Sequence, residues 1–228
     1  MKRVAVYAGT RNVYGMMASA AKSLLEHTRM DRVCFLIEDD AFPEELPEVI
    51  DCINASGQTW LDPEGPNYNS PVTYMSNIRL ALPEILPEED RVLWLDIDTI
   101  VRKDIGEIFE TDLTGCYAAM VEEPCRSKYP FMYFNAGVAL MDLERMRDGI
   151  YLKCIDLLNR VAYTAQDQDM LNLFCQGEIR KIDPRWNDAG HITEPTQDPY
   201  IRHFAGAQKG EGRQWFEQYR NAEWRLKE

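Results

Sequence analysis

The chain has 228 residues, 45% of them apolar, and a formal net charge of −13. That length and apolar share suit one α/β domain with a sizeable core and a small appended lobe. The acidic balance excludes non-specific nucleic-acid binding and adhesion to an anionic membrane surface, so any phosphate must be held locally, by a metal or a few placed cations.

Val4 to Ala8 reads as a short apolar strand, closed by the turn cluster Gly9-Thr10-Arg11-Asn12 and followed by a helix from Tyr14 to Leu25. Strand, turn, helix is how nucleotide-binding α/β domains begin. Neither G-x-G-x-x-G nor a Walker lysine is present, which excludes the Rossmann dinucleotide and P-loop fingerprints, and Thr10 and Asn12 also suit plain turn chemistry. Arg32 to Ile37 is a second strand, closed by the acidic Glu38-Asp39-Asp40. The proline- and acid-rich stretch 41–71 predicts a short helix over 44–51, a weak strand near 52–60 and a loop through Tyr68. Tyr74 to Leu82 predicts a helix carrying Arg79, with Pro83 and Pro87 breaking the chain after it.

Val92-Leu93-Trp94-Leu95 is the apolar run of a strand buried on both faces, and Asp96-Ile97-Asp98-Thr99 follows it. If the backbone stays extended, Asp96 and Asp98 point to the same side. Two adjoining carboxylates beside a buried strand repel each other and are poorly solvated, and a hard divalent cation would relieve both problems. A solvated acidic turn is the other reading of a bare D-x-D. In open α/β sheets ligands sit beyond the carboxyl ends of the strands, where this pair lies.

Beyond the pair, residues 104–109 read as a helical turn and Cys116 to Val121 as a strand. Phe131 to Met141 reads as a strand interrupted by Asn135-Ala136-Gly137. A glycine there marks either a bulge or close approach of a ligand or another backbone. Tyr151 to Ala162 is an amphipathic helix. Gln166-Asp167-Gln168-Asp169 opens another helix ending near Gly177, where Asp167 and Asp169 suit helix capping as well as ligand binding. Glu178 to Ile182 is a strand, 183–200 is loop-like, and residues 203–210 read as a flexible loop with His203, Gly206 and Lys209 arranged like a phosphate clamp. A helix over about 213–226 ends the chain.

No apolar run approaches the roughly 20 residues of a membrane span, and Met1-Lys2-Arg3-Val4 has no signal-peptide pattern. The six cysteines (34, 52, 116, 125, 154, 175) form no C-x-x-C pair. They read as reduced core residues of a cytoplasmic protein.

Taken in order, these blocks resemble glycosyltransferase family 8, the retaining GT-A enzymes that include glycogenin and bacterial lipopolysaccharide galactosyl- and glucosyltransferases. Tyr7-Ala8-Gly9-Thr10-Arg11-Asn12 is similar to the family's nucleotide-binding opening and Asn77-Ile78-Arg79-Leu80 to its arginine-bearing helix. Leu95-Asp96-Ile97-Asp98-Thr99 is similar to its manganese motif. Phe134-Asn135-Ala136-Gly137-Val138 and Asp167-Gln168-Asp169 are similar to its donor-sugar blocks, and His203-Phe204-Ala205-Gly206-Ala207-Gln208-Lys209 to its His-x-x-Gly-x-x-Lys block.

The resemblance implies a GT-A fold: a Rossmann-like, mixed, mainly parallel sheet flanked by helices, with a small acceptor-side lobe. Residues 1–101 form the nucleotide half, 102–210 the sugar and acceptor half, and 211–228 a terminal helix. It implies transfer of glucose or galactose from a UDP-sugar, with retention, to a carbohydrate, lipid-linked or protein acceptor. Ala8, Thr10, Asn12, Tyr14, Arg79, Asp96, Ile97, Asp98, Gly206 and Lys209 are then expected to hold UDP. Arg79, Asn135, Ala136, Asp167 and Gln168 are expected to hold the sugar, with Asp167 and Gln168 at the catalytic centre. Asp96, Asp98 and His203 are expected to hold Mn2+, with Mg2+ the alternative.

Two departures stand out. The family's uracil-stacking aromatic falls near Val13, leaving Tyr14 as substitute, and its Lys-Pro-Trp ending is Lys209-Gly210-Glu211 here. A metal-dependent nucleotidyltransferase or phosphohydrolase, or a non-catalytic nucleotide-sugar binder, could also use such an aspartate pair.

Overall fold

The computed structural model describes residues 1–42, 45–69, 73–124, 129–190 and 192–206. Its main sheet has seven strands among the described residues, in the order β3-β2-β1-β4-β7-β6-β8. These are β1 (Val4–Ala8), β2 (Arg32–Ile37), β3 (Ile50–Asn54), β4 (Arg91–Leu95), β6 (Ala118–Glu122), β7 (Phe134–Asp142) and β8 (Ile179–Lys181). Only β7 runs against the others: β1 is parallel to β2 and β4, β2 to β3, and β6 to β8, while β7 is antiparallel to both β4 and β6. The sheet is therefore mixed and mainly parallel.

The continuous apolar runs of β1, β2 and β4 are explained by burial on both faces. Alternate residues serve opposite cores. Val4, Val6, Cys34, Leu36, Val92 and Trp94 pack with Ile155, Leu158, Met170 and Leu171, which belong to the helices Ile150–Arg160 and Gln166–Phe174. Ala5, Tyr7, Val33, Phe35, Leu93 and Leu95 pack with Met17, Ala20, Ala21 and Leu24 of α1 (Tyr14–His27). Because the side-chain period of a strand is two, both layers can be built from one uninterrupted apolar run.

Several expectations need correction. No helix forms over the described part of 44–51, because Pro47 would interrupt it and Ile50 already pairs with Val33 as the start of β3. The stretch from Tyr74 holds three short pieces: α2 (Tyr74–Asn77), a 3-10 turn over Ile78–Ala81, and α3 (Leu82–Ile85). Pro83 does not break the chain there but lies in the first turn of α3, where its missing N–H costs nothing. Phe134–Asp142 forms one strand, but the irregularity expected at Asn135-Ala136-Gly137 is present: β4 pairs only with Val138–Asp142, and on the β6 side Ala136, Gly137 and Val138 have no partner in the register. There the pairing jumps from Met120 opposite Ala139 to Val121 opposite Asn135. Cys52 is exposed, unlike Cys34, Cys116, Cys154 and Cys175, which are buried free thiols. Cys125 and the helix expected over 213–226 lie outside the described residues.

Two features place the site. The strand order reverses direction between β1 and β4, the point where open α/β sheets leave a crevice at their carboxyl ends. Since β7 is antiparallel, its first residues arrive at that same edge. In addition, β5 (Thr99–Val101) and β9 (Ile201–His203) pair as an antiparallel ribbon with Thr99 opposite His203. His203 is thus held in a strand and not in the flexible loop expected from its glycines.

Candidate active site

β4 ends at Leu95, and the next residues turn instead of staying extended. Asp96 N–H donates to the Gly137 carbonyl at 2.8 Å, and the Asp96 carbonyl accepts from the Thr99 N–H at 3.2 Å and its hydroxyl at 2.7 Å. The turn delivers the chain into the ribbon, and Phe204 N–H closes it on the Asp98 carbonyl at 2.9 Å. Convergence of the two carboxylates therefore comes from the turn and ribbon, not from strand alternation.

Asp96, Asp98 and His203 offer ligand atoms that all lie within 4.8 Å of one another. His203 Nε2 is 3.2 Å from Asp98 Oδ1 and 3.8 Å from Asp96 Oδ2. The imidazole is buried. Burial alone would lower its pKa, but the facing carboxylates, Asp98 before Asp96, outweigh burial and raise it above the ordinary value. A ring nitrogen and two carboxylates so placed call for a cation between them, either a proton or a metal ion. The donor set, two oxygens and one nitrogen with open positions left over, fits a divalent ion such as Mn2+ or Mg2+, and the nitrogen favours manganese.

Asp96 is oriented from behind. Its Oδ1 accepts from Arg79 Nη2 and from Trp94 Nε1, both at 2.8 Å, which leaves Oδ2 for the cation position. The Arg79 guanidinium also lies over the Trp94 ring, 4.4 Å from its centroid, donates to the Ala136 carbonyl, and pairs with Asp167 Oδ2 at 2.7 Å. Such partners fix a ligand's orientation, and losing one typically weakens metal binding about 10–100-fold.

A cavity of about 480 Å3 opens onto this cluster. Its lining takes Ala8, Thr10 and Asn12 from the end of β1 and the turn after it, Asp96, Ile97 and Asp98 from the turn after β4, Asn135 from the start of β7, Gln168 from the helix Gln166–Phe174, and His203 and Gly206 from β9 and the residues after it. Gly206 has φ 61°, a left-handed conformation that glycine adopts freely. Four expected contacts lie elsewhere. Tyr14 is 2% exposed, stacks on Phe42 and accepts the Glu38 N–H at 2.9 Å, so its ring belongs to the core and not to a base-binding face. Arg79, Ala136 and Asp167 sit behind the lining, because burial of Arg79 draws Asp167 inward as its counter-ion. Burial, opposed by Arg79, pushes the Asp167 carboxyl up to about 7. The capping role falls to Asp169, which accepts the Ala165 N–H at 2.9 Å. Lys209 lies outside the described residues.

On the β7 side of the cavity, Gln168 Oε1 accepts the Ala136 N–H at 2.9 Å, while Gln168 Nε2 and Asn135 Nδ2 both donate to Glu123 Oε2, at 3.0 and 2.9 Å. Glu123, Trp94 and Asn187 carry no site signal in the sequence. Glu123 sits in a stretch that reads as loop, Trp94 reads as core, and Asn187 carries no motif.

The comparisons with known proteins agree with this geometry. The family model described as Glycosyl transferase family 8 matches residues 4–210. Glycosyltransferase GlyF of Streptococcus pneumoniae is 27% identical over 218 residues, General stress protein A of Bacillus subtilis 25% over 172, and a putative glycosyltransferase of Haemophilus influenzae 28% over 143. The aligned regions cover 85%, 62% and 55% of this chain and 53%, 60% and 41% of those proteins. This chain thus spans about half the length of the curated relatives it matches. Among solved structures, galactosyltransferase LgtC with donor and acceptor sugar analogs superposes with a TM-score of 0.73 at 20% identity, covering 99% of this chain and 98% of that one. Glycosyltransferase GlyE of Streptococcus pneumoniae superposes with a TM-score of 0.72 at 22% identity, covering 98% and 61%. These likenesses show the fold, and the family model, matched from β1 through the His203 ribbon, shows that the chain belongs to glycosyl transferase family 8.

Proposed function

We propose that this chain transfers a hexosyl group, glucose or galactose, from a UDP-sugar to an acceptor hydroxyl with retention of anomeric configuration. The reading rests above all on one observation: the Asp96, Asp98 and His203 cluster opens onto a cavity lined by Thr10 and Asn12 after β1 and by Asn135 and Gln168 on the β7 side, with β4 between β1 and β7 in the sheet. A diphosphate beside the cluster would place a nucleoside at the first pair and a sugar at the second. A divalent cation, once bound, supplies charge neutralisation for the departing diphosphate. The chain's own residues bind and orient. Asp96 and Asp98 are held facing His203, and Asn135 and Gln168 are set as hydrogen-bonding groups at the sugar end.

The Gln168 amide oxygen is engaged by the Ala136 N–H, and Glu123 already accepts two amide donors. This favours front-face attack. The C1–O bond to diphosphate breaks, the acceptor oxygen bonds to C1 on the same face, and the acceptor proton passes to a diphosphate oxygen. A cytosolic location belongs to the proposal, since the free thiols suit a reducing compartment.

The test is a panel of UDP-, ADP- and GDP-sugars with Mn2+, reading released nucleotide and the anomeric signals of the product. UDP-glucose or UDP-galactose should be consumed with formation of an α-linked product, and Asp96→Asn and Asp98→Asn should abolish it. Nucleotide release without sugar transfer would replace this reading by hydrolysis, and metal-dependent UDP binding without turnover would replace it by a binding protein.

A further inference from the structure

We propose that Asn187 is a positioning residue that fixes the cation-facing nitrogen of His203 and the sugar-facing amide of Asn135 together. The direction of every bond follows from a backbone group that can only donate. Gly137 N–H donates to one side-chain atom of Asn135 at 3.0 Å, so that atom is the carbonyl oxygen, Oδ1. The Asn187 atom 2.8 Å from the same oxygen must then be its amide nitrogen, Nδ2. Asn187 consequently presents its oxygen to His203 Nδ1, at 2.9 Å. An amide oxygen only accepts, so Nδ1 carries the hydrogen. In the neutral ring Nε2 therefore holds the lone pair, the form a metal ion binds, and Nε2 is the atom that faces Asp98 and Asp96.

The other end is fixed in the same way. Asn135, with Oδ1 committed, aims Nδ2 at Glu123, which also receives Gln168 Nε2. One side chain thus links the cation site to the sugar-side groups through bonds whose polarity cannot be reversed.

Asn187 is suited to the task although it lies in a segment that reads as loop. It is 0% exposed. Asp183 accepts the Arg185 N–H, Pro184 opens a 3-10 turn, and Asn187 N–H closes that turn on the Pro184 carbonyl at 3.1 Å. The Asn187 carbonyl accepts the Thr193 hydroxyl at 2.9 Å. Its backbone is therefore pinned on both sides, which a positioning residue requires.

The tautomer and metal-affinity parts of this inference stand on geometry alone; the effect on sugar turnover rests on the proposed transferase reading. The experiment is nitrogen-15 NMR of the His203 ring in metal-free protein, above its titration, with Mn2+ affinity measured by calorimetry without nucleotide. Wild type should show hydrogen on Nδ1. Asn187→Ala should lose that preference and bind Mn2+ about 10–100-fold more weakly. Asn187→Asp keeps an oxygen for Nδ1 but faces Asn135 Oδ1 with an acceptor. It should keep the tautomer and bind Mn2+ no more weakly than wild type, while kcat on the UDP-sugar falls and UDP affinity holds.

Hydrogen on Nε2 in the wild type would overturn the proposal without any variant, whether or not Asn187→Ala folds. So would wild-type Mn2+ affinity in a folded Asn187→Ala protein. The expected tautomer and affinities in a protein that transfers no sugar would leave the positioning role standing and remove the transferase reading.

Discussion

The clearest consequence of the site's packing concerns Gly137, whose Cα faces the His203 ring. A methyl group built on it would lie 2.1 Å from His203 Cε1, 2.7 Å from Nδ1 and 3.0 Å from Nε2. Carbon atoms rest at about 3.5 Å, so Gly137→Ala must open the gap by about 1.4 Å, the difference between 3.5 and 2.1. The strand has little room to yield, because Asp96 N–H is bonded to the Gly137 carbonyl and Gly137 N–H to Asn135. The ring must move instead. Metal–ligand distances tolerate about 0.2 Å, so a retreat of that size takes Nε2 out of reach of a cation held by Asp96 and Asp98.

The expected loss of Mn2+ affinity is at least the 10–100-fold seen when a supporting residue alone is removed. The strain should cost about 1–3 kcal/mol of stability, as overpacking usually does. Calorimetric Mn2+ titration and thermal melting on the same variant measure the two effects separately. A folded Gly137→Ala protein that binds Mn2+ within threefold of wild type would refute the reasoning, because it would mean that His203 is dispensable for the cation or free to move.

Other perturbations have equally definite outcomes. Trp94→Phe removes the indole N–H that, with Arg79, holds Asp96 Oδ1; Mn2+ affinity should fall about tenfold, and an unchanged affinity would show that Arg79 suffices. Tyr14→Phe should leave UDP affinity within twofold while the lost bond to the Glu38 N–H costs about 1 kcal/mol of stability; a large loss of UDP affinity would return Tyr14 to the base site. Raising the pH removes the proton that competes for His203, so Mn2+ should bind more tightly at pH 8 than at pH 6, and a flat profile would contradict the raised pKa. Asp167 has a folded-state pKa of about 7 against about 3.9 unfolded, so its proton stabilises the fold fully below the lower value and the effect is lost as pH rises through the upper one. The melting temperature of metal-free protein should therefore fall between pH 5 and 8, and Asp167→Asn should flatten part of that fall.

The amino-acid sequence by itself determined the architecture and the family. Strands buried on both faces announce themselves as uninterrupted apolar runs, which is why β1, β2 and β4 are legible at Val4–Ala8, Arg32–Ile37 and Arg91–Leu95. The blocks from Ala8 to His203 keep their order along the chain, and order is a property of sequence. Where local signals compete the reading fails. Pro47 and the pairing of Ile50 with Val33 override the helical pattern before β3, and Pro83 starts a helix instead of ending one.

What only the tertiary structure decided is which side chains face one another. Asp96 and His203 are far apart in the chain, and a two-stranded ribbon joins them. Arg79 and Asp167, expected in the cavity, lie behind its lining and pair with each other, as a buried guanidinium needs a buried counter-ion. Trp94 and Asn187 orient Asp96 and His203 through single hydrogen bonds whose existence depends on angles and distances set by other elements. A hydrogen bond is directional over a few tenths of an ångström, and nothing in residue type or spacing carries that information.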